Sequence, residues 1–195
     1  MSAIITLPKP NQDGSISLEK AISRRRSRRD FLPKGLTLEQ ISQLTWAAQG
    51  QDAHSYYRTA PSAGATYPLE LFIVASDGLF RYLSAKHSLE KLNGQDLRVA
   101  LASAAWGQEF IETAPLTLVF AAQFSRTTGR YGQRGIRYVY MEAGHAAQNV
   151  HLQAEALGLG SVAVGAFDDA SVSKVLSLPA YLEPIYMVTV GYYRN

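Results

Sequence analysis

The chain has no cysteine among its 195 residues. Disulfides, iron–sulfur clusters, zinc–thiolate sites and thiol nucleophiles are therefore excluded, and any redox chemistry has to come from a bound cofactor. No apolar run approaches the roughly 18 residues that a membrane span requires. The N-terminus also lacks the basic segment, hydrophobic stretch and cleavage site of an export signal, so a cytoplasmic protein without membrane contact is expected. Histidine is scarce: of His54, His87, His145 and His151 only the last two are close in sequence, and a six-residue step puts them on different helix faces. No metal site is expected from them. Neither GxxxxGK[ST] nor GxSxG occurs. Gly158-Leu159-Gly160 follows a predicted helix, precedes a predicted strand and has Ala163 at the third glycine position, the reverse of the dinucleotide-binding order.

Positive charge is also scarce outside one place. The formal net charge is +3, from 19 basic and 16 acidic residues. Without Arg24, Arg25, Arg26, Arg28 and Arg29 the balance turns negative. A nucleic-acid binder spreads Lys and Arg over a face and interleaves aromatics. Five arginines around Ser27 instead suit one small phosphate.

What is present is a chain of one-domain length, with 47% apolar and 18% charged residues, able to bury a core. Residues 1–14 contain Pro8, Pro10 and Gly14 and read as an extended arm. Ser17 caps a predicted helix over 18–27, and Thr37 with Gln40 forms a capping box for a second. Two apolar runs around Asp77-Gly78 predict a hairpin. Helices over 95–105 and 108–113 precede the buried strand LTLVFAAQ. The longest helix, over 136–157, ends at Gly158. It carries one stripe of Ile136, Val139, Ala143, Ala146, Ala147, Val150, Ala154 and Leu157, and a second of Tyr138, Met141, His145 and Leu152. Two apolar faces fit either a helix central to one domain or an inter-subunit contact. The strand SVAVGAF, a short helix from Asp169 and a last strand, PIYMVTVGYY, complete an α+β pattern.

Three segments carry the chemistry. On a helix, Arg25 and Arg29 lie four apart on one face, with the Ser27 hydroxyl at the helix end, a phosphate clamp that also fits a solvated basic helix terminus. Pro61, Ser62, Ala63, Gly64 and Ala65 are small residues before a strand, where backbone can approach a flat ligand. Gly165 and Ala166 place backbone N–H groups at a strand end. Together they read as a site for flavin mononucleotide.

RRSRRDF from Arg25 to Phe31, PSAGATYPLE from Pro61 to Glu70, EAGHAAQN within the long helix and VGAF at 164–167 together resemble the FMN-dependent nitroreductase superfamily. PSAGATYPLELF, LFRYLSAKHSLEKL and GQEFIETAPLTLVF are similar to its SagB-type branch, which includes flavin dehydrogenases that oxidise azolines in modified peptides. The resemblance covers residues 18–192. It implies a nitroreductase-like fold, a central, mostly antiparallel sheet flanked by helices, in an obligate homodimer with the long helix and two FMN sites at the interface. By it, Arg25, Arg26, Ser27 and Arg29 hold phosphate and ribityl or pyrimidine oxygens, and Pro61, Ser62, Ala63 and Ala65 line the ring. Backbone N–H groups near Gly165 and Ala166 face flavin N5, with Arg58 and Arg194 as further candidates for the pyrimidine edge and phosphate. Many nitroreductases have asparagine where this chain has Ala65. The azoline-oxidising enzymes place a catalytic Lys-Tyr pair before the long helix, where this chain offers Arg130-Tyr131, and arginine stays protonated and is a poor general base.

The expectation is an FMN-dependent oxidoreductase that passes hydride from NADH or NADPH to a nitroaromatic or quinone-type acceptor. Oxidation of peptide azolines is the alternative. A basic-arm nucleic-acid binder and a flavin carrier without turnover are the readings from other classes.

Overall fold

The computed structural model describes residues 3–52 and 55–194, so His54 lies outside it. Among these residues the strands form one sheet in the order β1 (Ile4–Thr6), β4 (Ser88–Asn93), β3 (Gly78–Leu83), β2 (Leu69–Ala75), β5 (Leu116–Ala122), β7 (Glu183–Gly191), β6 (Gly160–Val164), with every neighbouring pair antiparallel. The helices are α1 (Leu18–Arg24), α2 (Leu38–Gln49), α3 (Arg98–Ala104), α4 (Glu109–Thr113), α5 (Phe124–Tyr131), α6 (Arg134–Ala156) and α7 (Asp169–Val175). The α+β architecture expected from the sequence, a central antiparallel sheet flanked by helices, is the one observed.

The central strands are continuous apolar runs because both faces are covered, so successive side chains enter different cores. Leu69, Leu71 and Ile73 of β2 and Leu118 and Phe120 of β5 pack with α2 and α6. Phe72 and Val74 of β2 and Val119 and Ala121 of β5 pack with Leu101, Ile111 and Val172 of α3, α4 and α7. Small residues on α6, Ala143, Ala146, Ala147, Val150 and Ala154, bring that helix flat onto the sheet.

Thr37 accepts from the Gln40 N–H while the Gln40 side chain accepts from the Thr37 N–H, which closes the expected box. Gly158 follows α6 at φ 69°. The hairpin turns through Ser76 and Asp77, since Gly78 already pairs with Ala75. Other boundaries differ. α1 stops at Arg24 and not near Ser27, because the chain finds a better partner: Ser27 pairs in parallel with Ser161. The N-terminal arm is docked. Ile4–Thr6 pairs with β4, the Ser42 hydroxyl donates to the Pro8 carbonyl at 2.6 Å, and His87 joins Ser42, Pro8 and Tyr82. Ile136, expected on the core stripe of the long helix, is 38% exposed.

Leu118 is fully buried in the middle of β5. Leu118→Ala is expected to cost about 2–5 kcal/mol and to lower Tm by roughly 5–15 °C, read by calorimetry.

Candidate active site

The arginine segment leaves α1 at Arg25 and runs extended beside β6. The Arg28 N–H donates to the Ser161 carbonyl at 3.0 Å, and Phe31 pairs with Tyr193. The expected helical clamp is therefore corrected: Arg25 is the residue that caps α1, with φ −48° and ψ 124°. Arg25, Ser27 and Arg29 nevertheless share a side, since alternate residues of an extended strand face the same way. Arg26 is occupied, its Nη1 donating to the Ser23 and Arg25 carbonyls at 3.0 and 2.8 Å. Arg28 turns inward, its guanidinium 4.6 Å from the Tyr193 ring. The segment can lie this close because residue 160 is glycine, where a Cβ would meet Arg28 Cβ and the Tyr193 ring at 2.8 Å. Arg29 lies 5.8 Å from the Phe110 ring of α4. The Arg194 N–H donates to the Asp30 carbonyl at 3.1 Å, so Arg194 joins this cluster.

Gly165 and Ala166 follow β6 and are exposed. Gln108 donates to the Ala166 carbonyl at 2.8 Å, which ties the strand end to the start of α4. Arg25, Ser27, Arg29, Arg194, Gly165 and Ala166 thus border one sheet edge.

The small-residue loop forms a second cluster elsewhere. Its backbone is left-handed at Gly64 (φ 60°), Ala65 (φ 52°) and Tyr67 (φ 45°), a turn closed by the Tyr67 N–H donating to Ser62 Oγ at 2.9 Å. Asparagine adopts such a φ more readily than alanine, a backbone reason for its use at the position of Ala65. The end of α5 lies over this loop: Arg130 Nη1 donates to the Gly64 carbonyl at 3.1 Å, and a Cβ on Gly64 would stand 2.5 Å from the Tyr131 hydroxyl. Arg130 and Tyr131 are thereby brought to Pro61, Ser62, Ala63 and Ala65. Arg58 is not available at either cluster. Its Nη1 donates to Gln49 Oε1 at 2.5 Å and to the Leu69 carbonyl at 2.9 Å, and burial lowers its pKa.

α6 carries one buried titratable group toward each cluster. His151 Nδ1 is 2.7 Å from Ser161 Oγ, and burial, with the nearby Arg25 charge, pushes its pKa down to about 4. Glu142 is 3% exposed, and burial pushes its carboxyl up to about 7 while the Ser62 hydroxyl and the Arg58 charge oppose the rise. Its Oε1 has no hydrogen-bond partner among the described residues. EAGHAAQN stands out in the sequence as a motif, but nothing in it gives Glu142 a role of its own. The available signal was a carboxylate beside the apolar stripe.

Residues 142 and 151 are half a turn apart around α6 and roughly 14 Å apart along it. The loop, held through Asn149 donating to the Thr59 carbonyl at 3.2 Å and through Glu142, lies on one flank; the arginine segment lies on the other. One chain therefore carries the two clusters on opposite flanks of α6. A separate concavity of about 600 Å³ is lined by Asn11, Leu18, Trp46, Thr59, Asn149 and Leu152.

Residues 22–192 match the nitroreductase family. The chain belongs to that family. It is 42% identical over 182 residues to a protein of Methanocaldococcus jannaschii described as a candidate nitroreductase, covering 90% of this chain and 91% of that protein. It is 28% identical over 174 residues to the microcin B17-processing protein McbC of Escherichia coli, 77% of this chain and 62% of McbC, so it spans under two thirds of that relative. It is 27% identical over 144 residues to the FMN reductase [NAD(P)H] of Bacillus subtilis, 61% of this chain and 58% of that protein. Among solved structures, a nitroreductase-family protein of Ralstonia eutropha superposes with a TM-score of 0.90 at 32% identity, covering 98% of this chain and 90% of that one. As a family member, this chain is an oxidoreductase.

The Glu142 shift has a consequence for stability. A carboxyl whose folded pKa is about 7, against 4.5 for the free group, stabilises fully below pH 4.5 and loses that contribution as pH rises through 7. His151 acts oppositely, losing stability as pH falls from 6.5 toward 4, so the two slopes offset in the parent. Glu142→Gln removes one of them. Its stability relative to the parent, by urea denaturation, is expected to rise between pH 4.5 and 7 by up to about 3 kcal/mol.

Proposed function

We propose that the protein is an FMN oxidoreductase that passes hydride between NAD(P)H and a nitroaromatic or quinone-type acceptor, with both sites built across a homodimer. The observation that carries the reading is the arginine segment sewn to β6: it leaves Arg25, Ser27 and Arg29 on one side, and Arg25 and Arg29 have no carboxylate partner among the described residues. FMN fits what this edge offers. Two guanidiniums and a hydroxyl suit its phosphate, and Arg194 adds charge beside Asp30. A bound flavin supplies a two-electron carrier that accepts and returns hydride at N5.

The chain's own residues divide the remaining work. Neutral His151 fixes Ser161, to which the arginine segment is bonded, without placing a second positive charge beside Arg25. Exposed backbone at Gly165 and Ala166, anchored through Gln108, offers N–H donors to electron density on the ring. The Pro61–Ala65 backbone supplies a slim wall with no bulky side chain between it and the ligand.

A dimer is needed because the wall and the arginines occupy opposite flanks of α6. Two-fold pairing would set one protomer's arginines beside its partner's loop. The exposed α6 residues Tyr140 (54%) and Met141 (50%) are the surface such a pairing would cover.

A second reading, azoline oxidation in a modified peptide, is favoured by one observation, the placement of Arg130-Tyr131 over the Gly64 loop, together with the likeness to McbC. It differs from the first in its hydride donor. Anaerobic bleaching of the bound flavin by NADH or NADPH supports the first; bleaching by an azoline peptide and by neither nicotinamide supports the second.

The purified protein is expected to absorb near ~370 and ~450 nm and to release FMN on heating. Arg25→Ala and Arg29→Ala are each expected to weaken FMN binding by about 10–100-fold in fluorescence titrations. A colourless protein that takes up no FMN would sink the proposal. Mixing Arg29→Ala with Gly64→Val chains in equal amounts tests the shared site: each double-defect site in the heterodimer is matched by one intact site and about half of the dimers are mixed, so FMN binding should recover to about a quarter of the parent capacity.

A further inference from the structure

From Phe124 to Met141 the chain has four arginines and no aspartate or glutamate. Arg126 is neutralised, donating to Glu70 at 2.8 Å and to the Tyr67 carbonyl at 3.0 Å. Arg130 and Arg134 pair with no carboxylate among the described residues. Between them stand two tyrosines in edge contact, Tyr131 and Tyr138, with ring centres 5.2 Å apart and planes at 85°. Arg130 lies 5.5 Å from the Tyr131 ring and Arg134 lies 5.9 Å from the Tyr138 ring. The order in space is guanidinium, ring, ring, guanidinium. Its near end is fixed on the small-residue loop by the Arg130 bond to the Gly64 carbonyl.

We infer that Arg130, Tyr131, Tyr138 and Arg134 form a recognition platform for an acceptor that joins a planar ring to a negatively charged group, which rests on the proposed function and names its substrate class. Arginine stays protonated, so these residues have no use as a base. They can hold charge. Arg130 has donors left after its single bond to Gly64, in a fork that matches a carboxylate. Tyrosine edges and a loop without side-chain bulk accept a flat ring better than an aliphatic chain. The absence of any acid along this stretch means that an anionic acceptor meets no repulsion on approach. A nucleic-acid backbone would need a longer run of unpaired charge than Arg130, Arg134 and Arg137 provide. Glu142 interacts with Ser62 and Arg58, and Glu70 with Arg81 and Arg126.

The test uses FMN-loaded protein and unreactive probes of matched size, benzoate and benzamide, by titration calorimetry. Benzoate is expected to bind about tenfold tighter than benzamide at low salt, with the preference shrinking as ionic strength rises. Arg130→Gln and, separately, Arg134→Gln are each expected to reduce the benzoate-to-benzamide ratio several-fold. Photoreduced flavin should likewise be reoxidised faster by 4-nitrobenzoate than by 4-nitrobenzamide, relative to the same pair in either variant. This half-reaction needs no nicotinamide, so donor binding does not enter. FMN-loaded protein that binds benzoate no tighter than benzamide overturns this inference alone. A loss in the variants confined to NADPH affinity overturns it in favour of a nucleotide-phosphate site. A protein that takes up no FMN overturns the proposed function and this inference with it.

Discussion

The close seating of α6 on the sheet fixes the position of everything else of functional interest. Its contact stripe is built from Ala143, Ala146, Ala147, Val150 and Ala154, with Val139 at one end, so the helix axis approaches the strands closely. Larger side chains there would lift the helix and strand the contacts on its flanks. Those contacts organise the two half-sites: His151 meets Ser161 on one side, and Glu142 and Asn149 meet the loop that begins at Thr59 on the other. The spacing of the half-sites is therefore a property of one helix, set by its pitch and by which turns carry the polar residues.

This explains why the sequence was legible in some places and opaque in others. Caps are local, and Ser17, the Thr37–Gln40 box and Gly158 act where their residue types predict, while the hairpin expected at Asp77-Gly78 forms one residue earlier, through Ser76-Asp77. The doubly covered strands are recognisable as unbroken apolar runs. The end of α1 was not readable, because Arg25–Arg29 has adequate helix propensity and the competing partner, Ser161, is distant in sequence. Strand β4, with the sequence SLEKLN, carries charges on an outer strand, and α5, FSRTTGRY, has no side-chain N-cap and little apolar content. The residues of the candidate site were found by their types, small, basic or aromatic. Their division between opposite flanks of α6 was not, since it depends on which side of a helix each loop docks.

The arginines divide into two kinds according to their surroundings. Arg81, Arg98 and Arg126 have carboxylate partners at 2.7–3.0 Å and tie neighbouring elements together. Arg58 is held by Gln49 and a backbone carbonyl in the interior. These are scaffold groups, whose charge is already satisfied. Arg29, Arg130 and Arg134 have aromatic neighbours, Arg25 lies near His151, and none of the four has a carboxylate partner among the described residues; they occur at the two clusters flanking α6.

Unpaired positive charge at both half-sites raises the self-repulsion of the folded state, and of the two buried groups on α6 only His151, held neutral, limits it. A protonated His151 would add a cation beside Arg25 in a medium that screens poorly; burial instead holds it neutral at any pH above about 4. An ionised Glu142 would attract Arg58 and reduce the local field, yet burial keeps part of its population protonated up to about pH 7. Neither group therefore supplies a counter-charge that would compete with a ligand. The folded chain tolerates the repulsion because its apolar contacts do not depend on it, and an anion arriving at either half-site relieves it. The proposed affinity for anions and a modest loss of intrinsic stability thus share one physical origin, guanidinium charge without a carboxylate partner among the described residues.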